Sequence, residues 1–243
     1  MNLTFLLAIA LAIVHIGAKN LRFLGSVPRN CWLSIAGGVS VAYTFMHIFP
    51  ELSAGQARFE ASALNGLDFL EHHVYLMSLL GFSIFYGLEK LAKTSRQQQL
   101  KMGRGDATSD RVFWLHIISF ALYNTLIGYL LSDPEEEASV LSLGFFFIAM
   151  ALHFLVNDFA LREHHKRVYD HIGRWVLAAS VIVGWGIGRA TTISHEAIAL
   201  LFAFLAGGII LNILKEELPE ERETQFWAFA AGAGVYSVLL LII

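Results

Sequence analysis

Long apolar segments dominate the sequence and restrict what it can fold into. Eight of them can be counted, at residues 2–20, 31–52, 72–93, 111–132, 138–162, 172–190, 194–217 and 224–243. A membrane-spanning helix needs about 20 mostly apolar residues, and only helices or closed barrels satisfy their backbone groups in lipid. These segments are far too long for barrel strands. The sequence therefore predicts an all-α polytopic membrane protein, with eight transmembrane helices in one domain that covers residues 1–243.

The composition agrees with a membrane protein and narrows its chemistry. Charged residues make up 15% of the chain, against about 25% in soluble domains. Cys31 is the single cysteine, which excludes a disulfide framework or a thiolate metal cluster within one chain. The basic residues are spread over short loops, which disfavours nucleic-acid binding. No nucleophile is paired with a base by its spacing, so we expect neither an enzyme nor a firmly bound cofactor.

Positive charge is distributed unevenly along the chain and predicts its orientation. All 17 lysines and arginines except Arg58 and Arg189 lie in or beside the loops after the first, third, fifth and seventh segments. The positive-inside rule places these loops in the cytoplasm, with both termini on the other side of a plasma or inner membrane. The longest loop, residues 94–110, is polar and lacks an apolar period, which predicts a cytoplasmic linker.

The stretch HFLVNDF, residues 153–159, places polar side chains inside the fifth apolar segment. His153 lies nine residues before the predicted end of its helix, and Asn124 lies nine residues before the end of the fourth. A rise of about 1.5 Å per residue puts both about 14 Å deep, near the bilayer midplane. The short connecting loop predicts that these two helices are antiparallel neighbours. A midplane pair of polar residues is typical of an ion site in a transporter.

Helical spacing extends this pair into a candidate metal site. Asn157 lies four residues after His153 on the same face, and Asp158 lies about 100° further round the helix. Imidazole suits zinc, copper, iron and nickel, whereas amide and carboxylate oxygens suit harder ions. The alternative is structural, because polar residues in membranes often bond a neighbouring helix. Asp158 would then pair with Arg162, one helical turn later.

Several other polar residues each have two interpretations. Tyr123 and His116 share the helical stripe of Asn124, which makes them candidates to support the metal ligands. His47 and Glu51 are four residues apart near the outer end of the second segment. They form either an entrance for ions or a cap and interface anchor for the helix.

The remaining histidines are assigned mainly to structural positions. His15 in the first segment is interpreted as a histidine that contacts a neighbouring helix. The stretches EHH at 71–73 and EHHKR at 163–167 lie at predicted interfaces. Solvated charge is the prediction for both, and a weak surface metal site is the alternative. The glycines of GWGIG and AAGAG follow no strand, so they predict close helix packing rather than a dinucleotide loop.

Two stretches of the sequence are similar to each other and to a known family. GGVSVAYTFMHIFPEL at 37–52 and GGIILNILKEELPEE at 207–221 both start with a glycine pair and reach Pro-Glu, with one residue more between in the first. Such similarity can mark inverted repeats in transporters. The first resembles the second-helix signature of the ZIP metal transporters, and the second resembles their seventh-helix signature. The eight helices, the outward termini and the cytoplasmic loop after the third helix resemble that family too.

The resemblance implies that a metal site lies on the fourth and fifth helices. The family pattern on the fourth helix, roughly His-Asn-x-x-Asp/Glu-Gly, corresponds here to YNTLIG. Asn124 and Gly128 fit this pattern, whereas Tyr123 replaces the histidine and Ile127 replaces the acid. The fourth helix therefore lacks a carboxylate that the family pattern contains.

The fifth helix departs from the family pattern in the same direction. That pattern, roughly His-Glu-x-Pro-His-Glu, corresponds here to HFLVND. His153 fits, but Phe154 replaces the acid and Val156 replaces the proline. Asn157 and Asp158 stand where a histidine and a glutamate would be. A dication needs anionic ligands to offset its lost hydration, so a two-metal site is not expected.

The resemblance implies a ZIP-like transporter that moves zinc or a similar divalent ion toward the cytoplasm through one reduced site. Its metal ligands would be Asn124, His153, Asn157 and Asp158. The expected partners are the lipid bilayer, the divalent ion and a second copy of the chain in a homodimer. The alternative is a ZIP-fold membrane protein that does not transport metal and instead carries another solute or acts as a sensor or partner subunit.

Overall fold

The computed structural model describes residues 3–17, 29–62, 73–132, 140–217 and 225–241, and all regular structure in these ranges is helical. The helices are α1 (Leu3–Gly17), α2 (Arg29–Tyr43), α3 (Phe49–Ser62), α4 (His73–Lys101), α5 (Asp110–Leu131), α6 (Val140–Val168), α7 (Arg174–Ala190), α8 (His195–Asn212) and α9 (Phe226–Leu241). Three π-helical turns join or extend them, at Thr44–Ile48, Tyr169–Gly173 and Ile213–Glu217.

Within the described parts of the chain, four helical stretches are long and apolar enough to cross a membrane. They are His73–Lys101, Asp110–Leu131, Val140–Ala190 and Glu196–Lys215. The helices α1 and α9 are apolar but shorter. The predicted all-α membrane protein is confirmed at this level, and each predicted apolar segment lies largely within helical residues.

The long helix α4 corrects the predicted linker. α4 continues to Lys101, so the prediction that a linker begins at residue 94 is wrong. Residues 94–101 read TSRQQQLK, and glutamine, leucine, arginine and lysine all favour helix. A lack of apolar periodicity indicates that the helix has no apolar face, but it does not exclude a helix. The non-helical linker is residues 102–109, because α5 begins at Asp110.

A sharp reversal at Lys166 interrupts α6 near its end, where the sequence predicted a loop beginning after residue 162. Tyr169 donates a hydrogen bond to Asp158, eleven residues earlier. A continuous helix would hold these two Cα atoms about 16 Å apart, beyond the reach of both side chains. The chain therefore reverses between them, and it does so at Lys166, whose backbone has φ 52° and ψ −123°.

The turn at Lys166 yields a prediction about stability. A residue with a Cβ atom costs about 1–3 kcal/mol in such a conformation, and glycine adopts it freely. We expect Lys166→Gly to be more stable than Lys166→Ala by about 1 kcal/mol or more. Both variants lose the lysine side chain, so their difference isolates the backbone term. Thermal unfolding in detergent measures it, and equal stabilities would contradict a strained turn.

One compact unit of the chain comprises Met1–Val27 and Gly87–Thr192. Within it, α5 packs against α7 with almost no space between the backbones. A Cβ atom on Gly184 would overlap the carbonyl of Thr125, and one on Gly128 would overlap the carbonyl of Val181. The predicted packing role of GWGIG is thus confirmed for Gly184. Gly186, by contrast, has nothing near it.

The second compact unit comprises Pro28–Tyr86 and Ile193–Ile243 and uses glycine in the same way. A Cβ atom on Gly38 would overlap the carbonyl of Phe229, and one on Gly232 would overlap that of Ile35. Two of the π-helical turns, Thr44–Ile48 and Ile213–Glu217, lie in the two mutually similar stretches 37–52 and 207–221. The two stretches therefore also share a local structure, a π-helical turn that follows a glycine pair.

Candidate functional site

Seven polar side chains form a buried group inside the first unit, and we call it the central cluster. It has two parts, one around His15 and one around His153. Each of its members is at least about nine-tenths buried, which is unusual for ionisable groups without a role. The members are His15, Tyr123, Asn124, His153, Asn157, Asp158 and Tyr169.

The first part of the central cluster joins three helices and the turn after α6. His15 Nδ1 of α1 lies 2.8 Å from Asp158 Oδ1 of α6. His15 Nε2 lies 2.9 Å from the side-chain amide of Asn124 on α5. Tyr169 donates a second hydrogen bond to the same carboxylate oxygen. A carboxylate only accepts, so His15 donates from Nδ1, and in the neutral ring Nε2 accepts from Asn124.

The second part of the central cluster surrounds His153. Its Nε2 atom lies 2.9 Å from the Tyr123 hydroxyl and 2.9 Å from the Asn157 amide. Tyr123 lies on α5, whereas Asn157 follows His153 by one turn of α6. The other ring nitrogen, His153 Nδ1, is buried and has no hydrogen-bond partner among the described residues. Asp158 Oδ2 in the first part is likewise buried and without a partner there.

Apolar side chains occupy the positions where the family pattern has acids. Phe154 is fully buried, and its ring stacks on His15 with centroids 4.3 Å apart. The same ring lies 6.3 Å from that of His153. Ile127 on α5 is also fully buried. Asp158 is therefore the single carboxylate within the central cluster.

The candidate ligands are only partly assembled as the sequence predicted. α5 and α6 are antiparallel, as predicted, because Tyr123 contacts His153 whereas His116 contacts His165 further along. Asn124, however, bonds His15 rather than His153. No group of three His, Cys, Asp or Glu residues within the described parts of the chain is arranged to hold a metal ion. A cation would therefore rely on amide and phenol oxygens as well.

The proposed structural pairing of Asp158 with Arg162 is wrong. Asp158 is engaged by His15 and Tyr169. Arg162 instead pairs with Asp170, at 2.9 Å between Nε and Oδ1. The reversal at Lys166 explains this exchange, because it brings Asp170 back alongside the end of α6.

A second buried group lies nearer the turn at Lys166, and we call it the inner histidine cluster. It consists of His116, His164, His165 and Glu89. His116 Nδ1 lies 3.0 Å from His165 Nε2, and His164 Nε2 lies 2.9 Å from Glu89 Oε1. All three histidines are buried, so the prediction of solvated charge for EHHKR is wrong for His164 and His165. His116 contacts His165 and thus belongs to this cluster.

The predicted entrance residues lie in the second unit. Tyr43 stacks on His47, with ring centroids 4.9 Å apart. Glu51 forms an ion pair with Arg58, two turns later on α3. Glu51 also lies in the first turn of α3, where a negative charge is favourable. These contacts agree with the capping interpretation of Glu51, and an entrance for ions stays a prediction.

Two members of the central cluster were not assigned to the site from the sequence. His15 was predicted to contact a neighbouring helix, which it does, but its link to Asp158 spans 143 residues. Tyr169 was placed in a loop and is fully buried. The signal for His15 was its position within an apolar helix, where an ionisable residue usually has a function.

Comparison with known proteins gives no family assignment. No protein-family model matches the sequence. No curated protein matches it either.

Proposed function

We propose that this protein is a ZIP-like membrane transporter of divalent metal ions, zinc or a similar ion, with eight membrane crossings. Transport would run toward the cytoplasm through the central cluster as a single, reduced site. The observation that carries the proposal is the convergence of His15, His153 and Asp158 in the buried interior of an apolar helical unit. Ionisable residues inside membrane helices are costly and commonly mark ion pathways.

The donor chemistry of the central cluster favours ions that accept imidazole ligands. The two histidine imidazoles suit zinc, copper or nickel better than magnesium or calcium, whereas the amide oxygens of the two asparagines suit harder ions as well. Two ligands about 2.1 Å from one tetrahedral ion are about 3.4 Å apart. The contacts of His15 with Asn124 and of His153 with Asn157, at 2.9 Å each, would have to lengthen by about 0.5 Å to reach this spacing. An amide rotated to present its oxygen would then reach an ion beside either histidine.

The two buried atoms without partners also support a transient occupant. His153 Nδ1 and Asp158 Oδ2 are both buried and unbonded in the described part of the chain. Each unsatisfied buried group costs about 1–3 kcal/mol. A site that binds and releases an ion needs such incompletely satisfied groups, since a fully satisfied network gains nothing from an ion.

The second candidate is a ZIP-fold protein that does not transport metal. It is favoured by Phe154, which stacks on His15, and by Ile127, because each fills a position where the resemblance calls for an acid. Metal binding separates the two candidates. A thermal shift of the purified protein with zinc supports the transporter, and its absence with zinc, iron and manganese favours the alternative.

Zinc uptake into proteoliposomes is the direct test. We expect the double variant Asn124→Ala, His153→Ala to lose at least about tenfold of the uptake rate, because one ligand in each part of the cluster is removed. Ser119→Ala is the matched control, since Ser119 lies on α5, is exposed and bonds only the Leu115 carbonyl among the contacts described. Uptake by the double variant equal to that of the wild type would refute the assignment.

A further inference from the structure

The linker at residues 102–109 is held against the last part of α6, just before the reversal at Lys166, by its residue Thr108. The Thr108 hydroxyl lies 2.6 Å from His165 Nδ1. The Thr108 backbone N–H donates to the His164 carbonyl, with 3.1 Å between the atoms. One residue of the linker therefore contacts two consecutive residues of the inner histidine cluster.

A second contact holds the linker through charge. Asp106 accepts a hydrogen bond from Arg96 Nη2 at 2.8 Å and lies 3.4 Å from Lys166 Nζ. Arg96 belongs to α4, and Lys166 is the residue at which the chain reverses. The linker is thus tied both to the helix before it and to the turn beside it.

These two contacts respond differently to pH. The guanidinium of Arg96 donates to Asp106 and lowers the pKa of that carboxyl to about 2. A lowered pKa means that the contact persists above the ordinary carboxyl range and weakens only as pH falls toward 2. Between pH 5 and pH 8 the charged contact is therefore constant. Histidine is the side chain whose charge normally changes in that interval.

We propose that the inner histidine cluster is a pH-sensitive latch, in which acidification on the linker's side of the membrane protonates the cluster and releases Thr108 from His165. The latch regulates the position of the linker, and it does not depend on whether the central cluster carries a metal ion.

The geometry explains why the histidines favour their neutral form while Thr108 contacts His165. His165 is 1% exposed, and both its ring nitrogens are in use. Its neighbours within electrostatic range are His116, His164 and Glu89. Burying a charge without a partner costs several kcal/mol, so a charged His165 needs either a counter-charge or water. When the linker is released, water can reach His165 and hydrate its charge.

The surrounding charges do not offset this cost. Glu89 is the nearest acid, but it already bonds His164 and lies 3.8 Å from Lys93 Nζ. Two further acids among the described residues, Glu163 and Asp106, are paired with Arg96, and Asp106 also with Lys166. The Glu89 carboxylate can balance the first proton that the inner histidine cluster takes up. A second proton, on His116 or His165, places another positive charge next to the first.

Distance measurements between spin labels test the latch in the full chain reconstituted in nanodiscs. Labels at Arg104→Cys and Arg167→Cys, both exposed positions, report the separation of the linker and the turn. The single native cysteine is first replaced by Cys31→Ser. We expect one short separation at pH 8, and a released population that rises by up to about tenfold per pH unit as each proton is taken up.

Two variants decide the interpretation. His165→Gln keeps a hydrogen-bonding side chain but takes up no proton, so its label separation should not change between pH 8 and pH 5. His116→Gln tests the same point through the other histidine of the pair. The control, His171→Gln, replaces an exposed histidine and should keep the wild-type response. A wild-type separation that does not change with pH, or an unaltered response in both cluster variants, would overturn the latch.

Discussion

Gly184→Ala is expected to destabilise the protein by at least about 2 kcal/mol, whereas Gly186→Ala, two residues further on the same helix, is expected to be neutral or stabilising. The Cβ atom of an alanine at 184 would overlap the backbone carbonyl of Thr125 on α5. Backbone atoms cannot rotate away as a flexible side chain would. α5 and α7 must therefore separate, and the contacts along both helices weaken together.

Gly186 makes the comparison sharp, because nothing lies within 4 Å of its added Cβ atom. Alanine favours helix over glycine by up to about 1 kcal/mol, so the control should lose no stability. Unfolding by denaturant in mixed micelles measures both variants. Equal changes in stability at 184 and 186 would contradict the argument from close packing, because only position 184 lies against a backbone carbonyl. The second unit offers a matched pair in Gly232, which faces Ile35, and Gly234, which faces open space.

The helices could be predicted from the sequence because hydropathy is a local property. A run of about 20 apolar residues in lipid has essentially one way to satisfy its backbone. Boundaries were less predictable. The helix over 94–101 has no apolar face, and the reversal at Lys166 occurs without a glycine or proline to mark it. A turn that is held by tertiary contacts, here the hydrogen bond from Tyr169 to Asp158, cannot be recognised from local sequence signals such as glycine or proline.

The grouping of residues on one helix and the pairing of α5 with α6 could be predicted, whereas the individual contacts between helices could not. Spacing correctly grouped His153 with Asn157, because residues four apart share a helical face. Spacing carries no information about which face meets which neighbour. The partner of Asp158 is His15, on the first helix of the chain, and the partner of Asn124 is the same histidine. A single sequence does not encode that contact in any local pattern.

His15→Leu is expected to have the largest effect of any single substitution in the central cluster, a loss of about 3–5 kcal/mol in the free energy of unfolding. The variant leaves the Asp158 carboxylate buried at 1% exposure, with Tyr169 as its one remaining donor among those described here. Asn124 loses its partner as well. His171→Leu is the control, because that histidine is exposed. A stability equal to that of the wild type would mean that His15 does not compensate Asp158.

Removal of all three linked groups should separate stability from function. In the triple variant His15→Leu, Asp158→Leu, Tyr169→Phe, no buried charge is left uncompensated, and the apolar replacements can fill the space. Replacing buried charged groups together by apolar residues is often neutral or stabilising. The loss of the partner of Asn124 is common to the triple variant and to His15→Leu, so it does not affect the comparison. We therefore expect the triple variant to be more stable than His15→Leu alone, and to show no zinc uptake in proteoliposomes. If it transported zinc at the wild-type rate, the network would be structural and the ion would pass elsewhere. If it lost uptake while remaining folded, the cost of burying His15 with Asp158 would be explained by transport.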